Sequence, residues 1–207
     1  VSGARALALL LVVLSYLLGS IPFGLLLGRL AGVDVRGRGS GNIGAANVAR
    51  SAGARLGLAT LVADAAKGAV PVLAVRALGA DVGLVATAGV AAFLGHCFPI
   101  TLRFSGGKGV ATAFGAIVTF APYVALAALA VFAAAFAVTR RVSVGSALGA
   151  LATPAAALLL GEPRAIMVAC AVMAAVIVVR HLDNLGRLRR GTEPRFRLPK
   201  RQAPPGN

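Results

Sequence analysis

Four polar, glycine-rich stretches interrupt an otherwise apolar chain, and they hold most of the residues able to do chemistry. The first is Arg36-Gly37-Arg38-Gly39-Ser40-Gly41-Asn42-Ile43-Gly44-Ala45-Ala46-Asn47, followed by Arg50. The second begins at Gly95-His96-Cys97-Phe98-Pro99 and leads to Ser105-Gly106-Gly107-Lys108-Gly109. The third is Arg140-Arg141-Val142-Ser143, and the fourth runs from Arg180-His181-Leu182-Asp183-Asn184 through Arg187 to Gly191 and Glu193. Backbone N–H groups reach an anion most easily where no side chain blocks them, so glycine-rich loops are natural phosphate cradles. A helix that follows such a loop adds its N-terminal N–H groups and dipole. Ser105–Gly109 precedes an apolar run in this way and contributes Lys108 as a point charge. Gly39–Asn47 offers a second cradle, with Ser40, Asn42 and Asn47 as hydrogen-bonding groups and Arg50 as a fork. Two cradles suit one substrate with two phosphates or two substrates with one each.

Formal motif matches do not survive their context. Gly39-x-Gly41-x-x-Gly44 fits the dinucleotide fingerprint by letter, but no strand precedes it and no βαβ unit surrounds it. Gly107-Lys108 lacks the upstream glycine and the following Ser/Thr of a Walker loop, since Leu102 and Gly109 stand there. Neither histidine has an acid five residues on, because His96 leads to Thr101 and His181 to Gly186. Cys97 and Cys170 both lie in apolar stretches and suggest neither a disulfide framework nor a metal site.

The elements that must position these stretches are membrane spans. Apolar residues make up 58% of the 207 and charged residues 13%, with a mean hydropathy of +0.88. A soluble domain carries about 25% charge, so a soluble enzyme is excluded, and so is a disordered chain. The net charge of +15, with 18 of 21 cationic residues arginine, would suggest nucleic acid in a soluble protein. Aromatic residues are few and Trp is missing, so anionic lipid headgroups and small anionic substrates fit better. An all-α fold of seven segments is predicted: Ala6–Gly28, Leu56–Val75, Val82–Leu102, a short Gly109–Ala121, Pro122–Thr139, Val142–Gly161 and Ala165–Val179. Ala121-Pro122 divides a run too long for one crossing, and Pro22 kinks the first span, where Gly19 and Gly24 permit close packing. Setting aside Lys67, this topology puts 17 basic residues on one side and three (Arg5, Arg76, Arg164) on the other. The positive-inside rule then places the C-terminus in the cytoplasm and the N-terminus outside. All four polar stretches fall on the cytoplasmic face. Asp64 and Lys67, three apart within the second span, are expected to satisfy each other. Residues 1–182 form the bundle in this reading. Residues 183–207 form a basic tail whose first part completes the site and whose remainder meets anionic headgroups.

Taken together, the stretches resemble a known family. Gly39–Arg50 is similar to its first motif, Gly95–Pro99 with Phe104–Thr112 to its second, and His181–Leu188 with Gly191-Thr192-Glu193 to its third. The family is that of the bacterial acyl-phosphate:glycerol-3-phosphate acyltransferases, small integral-membrane proteins of the PlsY type. The resemblance extends from about Gly19 to Phe196, through Gly19-Ser20-Ile21-Pro22 and Asp64-Ala65-Ala66-Lys67-Gly68. It implies seven spans in the bacterial cytoplasmic (inner) membrane and transfer of a fatty acyl group from acyl phosphate to the 1-position of sn-glycerol 3-phosphate. The products would be lysophosphatidic acid and phosphate, in the first step of phospholipid synthesis. It also implies that Ser40 and Arg50 are essential and that Gly106, Gly107 and Lys108 shape a phosphate site. Ser143 would line glycerol 3-phosphate, His181 and Asn184 would be catalytic or positioning, and Glu193 would hold the tail. Gly39, Gly41, Asn42, Gly44, Asn47, His96 and Gly109 complete the expected substrate contacts, with no cofactor and no metal. A partner enzyme that forms acyl phosphate is a further expectation. The competing class is an anion or organophosphate transporter, which would place polar groups near the midplane rather than at one interface.

Overall fold

The computed structural model describes residues 2–196, and no strand occurs among them. The part of the basic tail from 197 to 207 lies outside the described residues. The helices are α1 (Ser2–Gly19), α2 (Phe23–Leu30), α3 (Ala45–Ala52), α4 (Ala54–Ala77), α5 (Val82–Cys97), α6 (Val110–Phe120), α7 (Pro122–Thr139), α8 (Val142–Leu159), α9 (Arg164–Val179) and α10 (Leu182–Arg189). Five segments are long and apolar enough to cross a membrane: 3–30, 54–77, 82–102, 122–139 and 142–159. Joined to α10 across a 49° bend, α9 makes a sixth. α6 is an apolar helix of 11 residues, about 16 Å long against a hydrocarbon core of about 30 Å.

The breaks follow the local chemistry. Pro22 stands at the entrance of α2 and separates it from α1. Ala121, extended at φ −145° before Pro122, ends α6 and opens α7. Asp81 caps α5 by accepting from the Gly83 and Leu84 N–H groups at 2.7 and 3.0 Å.

Small residues let the helices approach, which matters where lipid tails are as apolar as leucine and hydrophobicity drives little association. α4 crosses α6 at two glycines: a Cβ on Gly68 would strike the Thr112 carbonyl, and one on Gly115 would strike the Ala65 carbonyl. Gly19 and Gly95 bring α1 onto α5 in the same manner. α7 pairs with α8, and α9 packs against both α5 and α8. The buried core is made largely of alanine and valine, with Phe93, Ile117, Met173 and Ile177 as its larger members.

Gly115→Ala therefore tests the crossing, because overpacking a tight contact costs about 1–3 kcal/mol. A clear drop in thermal midpoint in detergent is expected. Gly3→Ala, where nothing lies within 4 Å of the new Cβ, should leave the midpoint unchanged.

Candidate active site

At one end of the bundle the polar stretches converge on a cavity of about 700 Å³. Ser40, Asn42, Gly44, Asn47 and Arg50 border it from the first stretch, and His96, Lys108 and Gly109 from the second. Ser143 comes from α8; His181, Asn184, Arg187 and Glu193 come from the end of the chain. Asp64 reaches the cavity from within α4. The sequence-predicted residues Gly39, Gly41, Gly106, Gly107 and Lys67 do not border it.

The first loop is folded around Asn47, which is buried. Its Nδ2 donates to the Val35 and Arg38 carbonyls at 2.9 and 3.1 Å, and its Oδ1 accepts from the Ser40 N–H at 2.8 Å. Gly39 (φ +61°) passes so close to the Asn47 side chain that a Cβ would collide with it. This close packing leaves the Ser40 hydroxyl beside Arg50, whose Nη2 lies 3.4 Å away. Asn42 closes its own turn by accepting from the Gly44 N–H at 2.8 Å.

The opposite wall is a chain of charged and amide groups. Lys108 Nζ donates to Asn184 Oδ1, and Asn184 Nδ2 donates to Glu193 Oε1 at 2.7 Å. Glu193 also accepts from Ser143 Oγ at 2.5 Å and from Arg187 Nε at 2.8 Å. Burial pushes the Glu193 carboxyl upward, but the hydrogen bonds from Ser143, Asn184 and Arg187 outweigh it and hold the group below its ordinary value. Burial pushes the Lys108 ammonium down to about 8, with Glu193 pulling the other way. His181 places Nδ1 2.8 Å from the Ile177 carbonyl. That carbonyl can only accept, so Nδ1 carries the proton and Nε2 remains an acceptor. Burial, and then the Lys108 charge, push this ring down to about 4, so it is neutral at pH 7.

Gly106 and Gly107 use their N–H groups differently from the cradle expected from sequence. They donate to the Cys97 and His96 carbonyls at 3.2 and 3.1 Å. The open donors belong instead to the start of α6, behind Gly109 (φ +78°). Beneath this loop Lys67 pairs with Asp64 at 2.8 Å and donates to the Ile21 carbonyl at 2.7 Å. His96 Nδ1 stands 3.6 Å from Asp64, too far for a hydrogen bond. Among the described residues no cluster of three His, Cys, Asp or Glu could hold a metal ion.

Arg187 stands in the fourth polar stretch, but its sequence context assigned it no role at the site. Its signal was weak because arginine dominates the cationic residues of this chain. Position was the usable clue: Arg187 follows Asn184 by three residues, on the same face of α10. The apolar wall was also missed. Leu61, Phe114, Ile117, Leu129, Phe132 and Met173 continue the cavity away from the charged end.

Arg50, Lys108 and Arg187 against Glu193 leave two positive charges in excess, Asp64 being answered by Lys67. Fold and site thus define an integral-membrane protein with an anion chamber that opens into an apolar groove. The model of the glycerol-3-phosphate acyltransferase family matches residues 9–191. The chain is 49% identical over 190 residues to a glycerol-3-phosphate acyltransferase of Geobacter sulfurreducens, covering 91% of this chain and 97% of the relative. It is 50% identical over 194 residues to one from Anaeromyxobacter sp. (strain K), covering 90% and 96%. Among solved structures it is similar to PlsY (YgiH), an integral membrane glycerol 3-phosphate acyltransferase. The glycerol 3-phosphate form of PlsY has a TM-score of 0.87 at 40% identity, covering 92% of this chain and 96% of that one. The lysophosphatidic acid form has a TM-score of 0.85 at 39% identity, covering 92% and 95%. The chain belongs to the glycerol-3-phosphate acyltransferase family.

The sign of the Glu193 shift gives a stability prediction. A carboxyl held below its unfolded value stabilises the fold above that value, and the contribution disappears as pH falls through the folded one. The wild-type thermal midpoint should therefore fall as pH drops below about 4.5. Glu193→Gln should be less stable at neutral pH, by about 1.5–3 kcal/mol for a charged hydrogen bond, and its midpoint should lack this acid component in a melting series.

Proposed function

We propose that the chain transfers a fatty acyl group from acyl phosphate to the 1-position hydroxyl of sn-glycerol 3-phosphate. The products are lysophosphatidic acid and inorganic phosphate. One observation carries this reading: a chamber with two excess positive charges continues directly into an apolar groove. Both proposed substrates carry a phosphate, and one carries a lipid tail.

In this reading the glycerol hydroxyl attacks the acyl carbonyl, a carbon–oxygen bond forms, the bond from the carbonyl to the phosphate oxygen breaks, and the hydroxyl proton leaves with the released phosphate. Acyl phosphate is a mixed anhydride with a good leaving group, so positioning and charge stabilisation can supply most of the catalysis. Arg50 with Ser40 holds one phosphate; Lys108 and the start of α6 hold the other. Ser143, Asn42 and Asn47 shape the acceptor's surroundings. His181 offers Nε2 to the attacking hydroxyl, and its low basicity suits a role in orienting that hydroxyl. Asn184 keeps Lys108 aimed, and Glu193 keeps Asn184 aimed. No cofactor or metal enters this scheme.

The topology follows the charge distribution. Seven segments cross or enter the bilayer, namely the five long helices, α6 and α9. The site lies on the cytoplasmic side of a bacterial inner membrane, and the N-terminus lies outside. The chain from 183 onward is cytoplasmic, and its basic tail meets anionic headgroups. The acyl phosphate comes from a separate enzyme.

Purified protein incubated with acyl phosphate and glycerol 3-phosphate should release phosphate and form lysophosphatidic acid; absence of both products would sink the proposal. Lys108→Gln should lose at least about tenfold in turnover, since a charged hydrogen bond is worth about 1.5–3 kcal/mol. Phosphate binding favours the charged ammonium. Acceptor affinity in the wild type should therefore be full below about pH 8 and weaken above it. In Lys108→Gln the same titration should be flat.

Topology is tested by labelling. Leu78 and Ser105 are exposed at opposite ends of the bundle, whereas Cys97 and Cys170 are buried. A membrane-impermeant thiol reagent applied to whole cells should modify Leu78→Cys and leave Ser105→Cys unmodified. Equal modification of both would remove the orientation.

A further inference from the structure

The segment between α5 and α6 reverses direction through Arg103 and Phe104, non-glycine residues at φ 51° and 62°. Such backbone costs free energy and persists only where its surroundings hold it. Its last part, Gly106 and Gly107, is held on both faces. The two N–H groups donate to Cys97 and His96, as described. The two carbonyls accept from a single side chain: Arg180 Nη2 reaches Gly106 at 2.6 Å and Arg180 Nε reaches Gly107 at 3.1 Å. The same guanidinium lies 5.6 Å from the centre of the Phe98 ring. Arg180 does not border the cavity.

We infer that Arg180 is a positioning residue of the transfer reaction: by forking onto the Gly106 and Gly107 carbonyls it aims Lys108 at the reacting groups. This inference rests on the proposed acyl transfer for its kinetic consequences, but the clamp itself does not. A trans peptide is planar, with its C=O and N–H pointing oppositely, and no peptide here is cis. Holding the Gly107 carbonyl toward Arg180 therefore turns the Lys108 N–H away from it. Among the described residues no protein acceptor takes that N–H. A guanidinium behind the carbonyl also polarises the peptide, which makes the Lys108 N–H a stronger donor to developing negative charge. Arg180 directly precedes His181, and Asn184 follows one turn later to meet the Lys108 ammonium. The end of α9 thus fixes the loop from behind and presents its partners in front. Lysine cannot replace this function fully, because a point charge does not bridge two carbonyls as a planar fork does.

The test compares Arg180→Gln and Arg180→Lys with wild type by steady-state kinetics and by hydrogen exchange of the peptide covering residues 104–109. Arg180→Gln should lower kcat by at least about tenfold while the KM for glycerol 3-phosphate changes less than about threefold, because Arg50 and the Lys108 charge remain. Arg180→Lys should recover only part of kcat. Deuterium uptake in residues 104–109 should rise in both variants. The alkaline limb should also move to higher pH in Arg180→Gln. Lys108 faces Glu193 and Asp183, which raise its pKa, and Arg187 and Arg180, which lower it. Removing one cation relieves that repulsion, whereas the split between a lowered kcat and a nearly unchanged KM is what a purely structural role would not produce. If Arg180→Gln does not fold, Arg180→Lys carries the test: charge kept and fork lost must still reduce kcat and raise uptake. Wild-type uptake in the variants overturns the inference, whatever kcat does, since the loop is then held without the fork. Raised uptake in a protein that never turns over acyl phosphate supports the clamp and counts against the proposed function.

Discussion

The carboxylate of Glu193 is the interaction on which the site depends. It is buried at the end of the described chain, and it joins α8, α10 and the segment after α10 through Ser143, Asn184 and Arg187. Every one of its partners donates, so the group must stay ionised for the arrangement to hold. Asn184 cannot choose its orientation freely once Glu193 has taken its amide nitrogen. Its oxygen is thereby left for Lys108, and the ammonium is held at the cavity instead of folding back on the protein. Removing the acid would therefore lose three hydrogen bonds and also leave two cations and an amide without a shared reference.

Bilayer physics explains why this arrangement is surrounded by so much satisfied backbone. Irregular chain at membrane depth persists only where its N–H and C=O groups are answered by protein or face a water-filled cavity. The loop before α6 meets that condition by pairing Gly106 and Gly107 with α5 on one side and with Arg180 on the other. The Ile21 carbonyl, which loses its helical partner where Pro22 breaks the first span, accepts from Lys67 as well as from the Phe23 N–H. Lys67 in turn answers Asp64. Charges that would be expensive alone thus close the gaps that broken helices open. The site can then keep its unpaired donors for the ligand.

Much of this was legible in the sequence, because membrane spans announce themselves by length and the breaks by residue type. Pro22, Ala121-Pro122 and the Asp64–Lys67 spacing each predict a local event that depends on neighbours within one turn. The glycine loops announce themselves too, yet which of their N–H groups stay open is a tertiary matter. Glycine permits close approach by any acceptor, and in Gly106 and Gly107 the acceptor is the carbonyl end of α5. Arg187 was hidden for a compositional reason, since one arginine among many carries little information until its partner is known. The apolar groove was hidden because the same leucine, phenylalanine and alanine residues face lipid elsewhere. Leu61 and Leu129 are half-exposed, and nothing in their types distinguishes a groove wall from a lipid-facing stripe.

The groove and the chamber make one device because of the short helix between them. A full-length helix at the position of α6 would carry its N-terminus to the membrane surface or its side chains through the whole depth of the groove. At 11 residues, α6 starts behind Gly109 at the charged end and stops at Ala121, where the chain turns into α7. Its first N–H groups therefore open into the same space that Phe114 and Ile117, one and two turns on, line with apolar surface. Polar donors and hydrocarbon wall alternate along a single helix within about 16 Å. An amphiphile with a phosphate at one end and a chain at the other matches that sequence of surfaces in only one direction. Its orientation is then imposed by where burial of the chain and neutralisation of the phosphate can both occur. Lys108 and His181 border the cavity at that junction, where the cationic loop meets the groove.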